Sequence, residues 1–162
     1  QQMDDIASEC QVRIAEVAAL QGQYAEALEL LVPAQAALQA CSHFWGLATM
    51  FLLRAQCLFA QGRMADASAS IASARIAAQK TNAKHIAMRI ERENALIAER
   101  TGDLAQALES LKTAVALQTE LDRGSKAHLL RHLQNLAEQS DATDRELPKV
   151  SMGYRRKPSA LR

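Results

Sequence analysis

Aromatic residues are scarce in this sequence, six in 162 (one Trp, two Tyr, three Phe), and so are the backbone breakers, with six glycines and three prolines. A core with so few aromatics must be assembled from small aliphatic side chains, and 32 alanines supply them. Alanine is the strongest helix former, and the runs of Val, Ile, Thr and aromatics that would mark strands are missing; the expected class is all-α. No window approaches the roughly 18 consecutive apolar residues of a membrane span, and no charged-then-apolar leader opens the chain. It begins at Gln1 rather than Met, as expected of a portion of a longer protein. An excess of one charge is lacking too: 19 basic residues face 18 acidic ones, net +1, without the electrostatic footprint of a dedicated nucleic-acid binder, so no DNA partner is expected. Cys10, Cys41 and Cys57 are an odd number at no metal-like spacing, which suits reduced core thiols in a cytoplasmic protein.

Catalytic patterns are absent as well. The glycines are isolated, so no phosphate-cradling loop exists, and no Ser, Thr or Cys stands in a recognisable nucleophile context. Glu91 and Glu93, two apart on a helix, point different ways. His128 and His132 share a helix face at a spacing that suits a metal, yet no Glu follows the first and no third ligand is near in sequence. His43 and His85 stand at helix starts, where turn or capping roles are expected. The expectation is a non-enzyme without cofactor or metal.

What the sequence does contain is a repeat. Gln21-Gly22-Gln23-Tyr24-Ala25-Glu26-Ala27-Leu28 returns as Gln61-Gly62-Arg63-Met64-Ala65-Asp66-Ala67-Ser68 and as Thr101-Gly102-Asp103-Leu104-Ala105-Gln106-Ala107-Leu108, each copy 40 residues after the last. A fixed period of this size marks supersecondary units that bury their apolar faces against their neighbours. Helical periodicity predicts a first helix, capped by Asp4 or Asp5, to about Leu20, a second over 23–40 with a kink near Leu30 from Pro33, and a third, the most apolar, over 43–60. A fourth over 64–80, a fifth over 84–100 and a sixth over 104–121 follow. Asp122-Arg123-Gly124-Ser125 is read as a break, with Ser125 capping a seventh helix over 125–139.

Aligned on Gly22, Gly62 and Gly102, the residue seven before is Ala15, Ala55 or Ala95. Five after stand Ala27, Ala67 and Ala107; twelve after, Ala34, Ala74 and Ala114; nine after, Leu31, Ile71 and Leu111; two after, Tyr24, Met64 and Leu104. Small residues at fixed places let paired helices cross closely while the larger ones fill the layer between units. The pattern resembles the tetratricopeptide repeat over about residues 7–121. The resemblance implies a right-handed α-solenoid of three helix-turn-helix repeats, about 4–42, 43–82 and 83–122, closed by a capping helix over 125–139, within a domain of residues 1–140. The sequence departs from the family in its period, 40 against about 34, in lacking a proline after the second helix, and in carrying Arg54 and Asn94 where Ile14 keeps the expected aliphatic. Those two are expected to face inward, bonding each other or the backbone between repeats, or forming a polar pocket for a small ligand.

In the family the first helices line a concave groove that holds peptides or partner helices. The equivalent positions are Glu9, Val12, Glu16 and Ala19, then Thr49, Leu52, Gln56 and Phe59, then Arg89, Arg92, Leu96 and Glu99, passing from acidic through apolar to basic. Leu52 and Phe59 are the expected apolar anchors, left for a partner or covered by the tail or the last helix. The Lys and Asn set that clamps a C-terminal carboxylate in some members is not reproduced, Val12, Glu16 and Glu93 standing instead. The end of the repeats also looks like that of sensory repeat domains preceding output modules in bacterial signalling proteins. The function so implied is a protein–protein interaction scaffold in the regulatory part of such a protein. The alternatives are a self-association module, homodimeric, exchanging its tail between protomers, and a ligand-sensing repeat domain. Residues 141–162 carry six basic and three acidic side chains, with Tyr154-Arg155-Arg156-Lys157 among them, and are read as a basic tail or linker.

Overall fold

A computed structural model describes the backbone over residues 2–146 and the side chains over 7–136. The described residues form six helices and no strand: α1 (Gln2–Leu20), α2 (Tyr24–Ala40), α3 (Phe44–Ala60), α4 (Met64–Gln79), α5 (Lys84–Thr101) and α6 (Leu104–Glu146). The chain divides into two compact units, Gln1–Asp122 and Arg123–Arg162.

In the first unit each of α1 to α4 packs on the next helix, and α3 touches α1, α2, α4 and α5, the central place its apolar character led one to expect; α6 is joined to α5 by hydrogen bonds such as Asn94 to Ser110. Three-residue turns separate α1 from α2, α2 from α3 and α3 from α4, so these neighbours are antiparallel. The turns share one chemistry. Gly22, Gly62 and Gly102 adopt φ of 80°, 76° and 86°, the left-handed region open to glycine at little cost. The amides of Gln23, Arg63 and Asp103 then donate to the carbonyls of Ala18, Leu58 and Ala98, each at 2.9 Å, satisfying acceptors that a helix end leaves open. His43 N donates likewise to the Leu38 carbonyl at 3.0 Å, with Ser42 at φ 56°. Asn82, 40 residues on, takes φ 51°, and Thr81 Oγ1 accepts from Ala83 N at 3.3 Å.

The small repeat positions are closed in all three copies: Ala15, Ala55 and Ala95, Ala27, Ala67 and Ala107, and Ala34, Ala74 and Ala114 are all buried. Around them Leu31, Leu38, Met50, Leu52, Ile71, Ile86 and Ile90 fill the layers, each contributing roughly 1.5–3 kcal/mol of transfer free energy. Gly46 is a further close approach. A Cβ there would lie 2.7 Å from both Leu38 Cδ2 and His43 Nδ1.

Several expectations are corrected. Helix α1 begins at Gln2, ahead of Asp4 and Asp5. Helix α2 does span the expected range with Pro33 inside it, and Pro33 is exposed together with Glu29, so the carbonyl that loses its donor is on the wet side. His43 and His85 do stand at helix starts as expected, His43 as the N-cap of α3 without a side-chain hydrogen bond and His85 as the second residue of α5. The largest correction concerns α6: no break occurs at 122–125, no separate capping helix spans 125–139, and the helix runs past residue 140 to Glu146. A helical glycine costs only about 1 kcal/mol against alanine, and Asp122 is bonded as a helix interior residue, accepting from Gln118 Nε2 at 2.9 Å. At Ser42 and Asn82 the left-handed turn is offset by the burial of α3 and α5. The residues after Asp122 bring no such gain, since Leu129, Leu130, Leu133 and Leu136 are all exposed. The expected tail from 147 on, with its Tyr154–Lys157 cluster, lies outside the described residues.

Three substitutions separate these effects. Gly62→Ala meets no atom and is expected to cost about 1 kcal/mol through φ alone. Ala55→Leu, in a closed helix crossing, is expected to cost roughly 1–3 kcal/mol. Gly124→Ala, also without a neighbouring atom, is expected to raise helicity and stability by about 0.5–1 kcal/mol, readable by circular dichroism during urea unfolding; a loss of stability there would restore the break.

Candidate functional site

The first helix of each repeat contributes to a cavity of about 430 Å³ in the first unit. Helix α1 supplies Glu16, Ala19 and Leu20, the start of α2 supplies Tyr24, α3 supplies Leu53, Gln56, Cys57, Phe59 and Ala60, and α5 supplies Arg89 and Glu93. Helical periodicity explains the set: 16, 19 and 20 share a face of α1, as do 53, 56, 57 and 60 on α3 and 89 and 93 on α5. Of the sequence-derived groove residues, Glu16, Ala19, Gln56, Phe59 and Arg89 are brought together here.

The others are placed elsewhere. Glu9, Val12 and Thr49 line a crevice of about 20 Å³ between α1 and α3, beside Arg13, Leu38, Trp45 and Gly46. Thr49 Oγ1 donates to its own helix, at the Trp45 carbonyl (3.1 Å), and Glu9 stands 3.6 Å from His43 Nε2. Arg92, Leu96 and Glu99 are exposed on α5. Leu52 is not a surface anchor: it is 1% exposed and belongs to the core, as does Val12. Positions 52 and 56 lie four apart, and the difference in their angle around α3 buries the first in the core and leaves the second at the cavity. Phe59 remains as an anchor, half-buried, with the Arg100 guanidinium 5.4 Å from its ring centre, a cation–π distance.

The polar frame is specific. Gln56 Nε2 donates to Glu93 Oε1 at 2.7 Å, tying α3 to α5 across the cavity wall, and Glu16 accepts from Arg13 Nη1 at 2.8 Å at the α1 side. Carboxylates therefore come to the cavity from α1 and α5 and a guanidinium, that of Arg89, from α5, beside the apolar side chains of Ala19, Leu20, Leu53 and Phe59. The charged face of α5 is more than a solvated surface: Glu91, which is largely buried, takes both Nε (2.7 Å) and Nη2 of Arg75 on α4, in the bidentate geometry of strong charge-assisted bonds.

Arg54 and Asn94 share no pocket. Arg54 is exposed and its Nη1 donates to Gln35 Oε1 on α2 at 3.2 Å. Asn94 is buried, donating to Ser110 Oγ at 2.7 Å and accepting from Gln106 Nε2 at 3.4 Å. The long guanidinium stem escapes to solvent at a register position that encloses the short carboxamide. His128 and His132 are exposed on α6, and among the described residues no three His, Cys, Asp or Glu side chains cluster as metal ligands. No described helix is long and apolar enough to cross a membrane.

Tyr24, Leu20 and Leu53 are site residues that sequence reasoning passed over. Tyr24 was counted as a layer filler, although a phenol, unlike the Met64 and Leu104 at its equivalent positions, has a polar tip that suits a half-buried place. No protein-family model, curated protein or solved structure matches the chain.

The cysteines test the packing of the cavity wall. Burial pushes the Cys57 thiol up from its ordinary value, partly offset by a backbone hydrogen bond, whereas Cys10 is exposed. At pH 8 a disulfide reagent such as DTNB is expected to modify Cys10 promptly and Cys57 only on unfolding in urea, as mass spectrometry of quenched samples would read; prompt labelling of Cys57 would mean that the wall opens in the folded state.

Proposed function

We propose that the chain is a non-catalytic interaction module that holds a peptide segment or partner helix in the groove formed by α1, α3 and α5, within a tetratricopeptide-like solenoid. The observation that carries the reading is the convergence of Glu16, Gln56, Phe59 and Arg89 from three separate helices around one cavity, with a half-buried aromatic in its lining. Large apolar side chains left accessible in a concavity and ringed by polar groups are the usual anatomy of a recognition hot spot. The frame favours a ligand with an apolar side chain for Phe59 and Leu53, a basic group facing Glu16 and Glu93, and an acidic group facing Arg89. A cytoplasmic regulatory part of a bacterial signalling protein is the setting in which such a module fits.

Selection from a random peptide display library, followed by titration of the enriched peptides, tests this. The expected enrichment is a basic–apolar–acidic order. Phe59→Ala is expected to weaken the selected peptide by about tenfold or more, as loss of an aromatic hot spot does, with little change in the melting curve, and Arg89→Glu is expected to shift the preference from acidic to basic at one ligand position. Leu52→Ala, by contrast, should destabilise the fold by roughly 2–5 kcal/mol. Equal binding by wild type and Phe59→Ala would remove the groove from the reading.

A further inference from the structure

A second cavity of the first unit, about 310 Å³, shares no residue with the groove of α1, α3 and α5. Helix α3 contributes Phe44, Leu47 and Phe51 to it, and α4 contributes Ile76 and Lys80. Positions 44, 47 and 51 share one face of α3, as 76 and 80 share one face of α4. Phe44 and Phe51 are half-buried and Ile76 is 61% exposed, so apolar surface stands open here. The repeat does not require it. Leu47 and Ile76 are alanine in both other copies, as Ala7 and Ala87 and as Ala36 and Ala116. In the third copy the positions of Phe44 and Lys80 are taken by Lys84 and Glu120, which form an ion pair at 2.7 Å, and that of Phe51 by Glu91, which accepts from Arg75. The same helix pair is thus built elsewhere with charges bonded to each other, and only the middle copy carries large apolar side chains at these positions.

The groove is not an end of the array. Helices α2 and α5 already pack on α3 and α4, and a further repeat before α1 or after α6 stacks on those helices and leaves the groove as it is. Its lining carries one charge, Lys80, whose Nζ lies 4.3 Å from the centre of the Phe44 ring. No carboxylate among the described residues pairs with that ammonium. We propose that this groove docks an amphipathic helix of a partner protein, with two aliphatic side chains three or four residues apart against Phe44, Phe51 and Ile76 and an aspartate or glutamate against Lys80. Charge complementarity identifies the occupant. The chain's own segment 147–162 has five basic side chains and no acidic one, the same sign as Lys80, and does not supply the anion. Helical form follows from the surroundings: the backbone on either side is bonded within helices, so an extended peptide finds no edge to pair with, while a helix brings its own bonds. Positions 44 and 51 stand about 10 Å apart along α3, two turns of such a helix. The molecule then has two docking sites of different charge, mixed in the α1–α3–α5 groove and purely cationic here.

Panning a display library of helical peptides on the full chain, then titrating an enriched peptide by fluorescence anisotropy, tests this. Lys80→Glu and Ile76→Ala replace exposed residues by those that other copies of the repeat carry at the same positions, so the fold tolerates them, as circular dichroism checks. Each is expected to weaken the peptide about tenfold. Lys80→Arg is expected to preserve binding, and a peptide with lysine in place of its acid to prefer Lys80→Glu over the wild type. Phe59→Ala is expected to leave the titration unchanged, which separates this site from the α1–α3–α5 groove. The proposal is overturned if no enriched peptide responds to both Lys80→Glu and Ile76→Ala. Self-association in sedimentation velocity that Ile76→Ala abolishes overturns it as well, since a second copy then occupies the groove.

Discussion

Close helix crossing at buried alanines is the constraint on which the rest depends. Ala15, Ala27 and Ala34 with their counterparts 40 and 80 residues on are the positions closed in every copy, and only a methyl group there allows paired helices to approach while the leucines and isoleucines between pairs interlock. Most of the six aromatics pack at the edge of this core rather than within it: Tyr24, Phe44, Trp45, Phe51 and Phe59 are partly buried against it. The left-handed glycine turns are the second half of the same device. They reverse the chain within three residues and aim each helix back along its predecessor.

The groove follows from this spacing. Because α1, α3 and α5 are held in one row by the crossings behind them, the face each leaves toward the row's open side falls together with its neighbours', and Glu16, Gln56 and Arg89 meet though they lie far apart in sequence. The polar cross-links have a complementary role. Gln56 to Glu93 ties α3 to α5 and Arg75 to Glu91 ties α4 to α5, adding directional contacts that alanine packing alone does not supply.

Much of the fold was legible because its signals are local. Four helices, α2 to α5, have the expected bounds within a residue or two, and the glycines and alanines occupy the expected places. The groove was legible only in part. Register identifies which helix contributes but not its rotation, and a few tens of degrees decide that Gln56 lines the cavity while Leu52 is sealed in the core. Arg54 and Asn94 occupy one register position and meet different fates because stem length, rather than sequence position, determines whether a polar head reaches water. The false break at Asp122–Ser125 came from reading turn-forming residues as sufficient for a turn.

What the sequence determined by itself was the set of contacts that repeat: helix pairs, glycine turns and alanine crossings, each specified within a few residues and reinforced by three copies. Tertiary structure alone decided where the repetition ends. Gly22, Gly62 and Gly102 turn because glycine tolerates their φ at little cost, whereas Ser42 and Asn82 turn because the following helix then finds a surface to bury. Asp122, at the same register, stays helical, because a strained turn persists only where the packing it permits outweighs its cost, and no local pattern of residues records that balance.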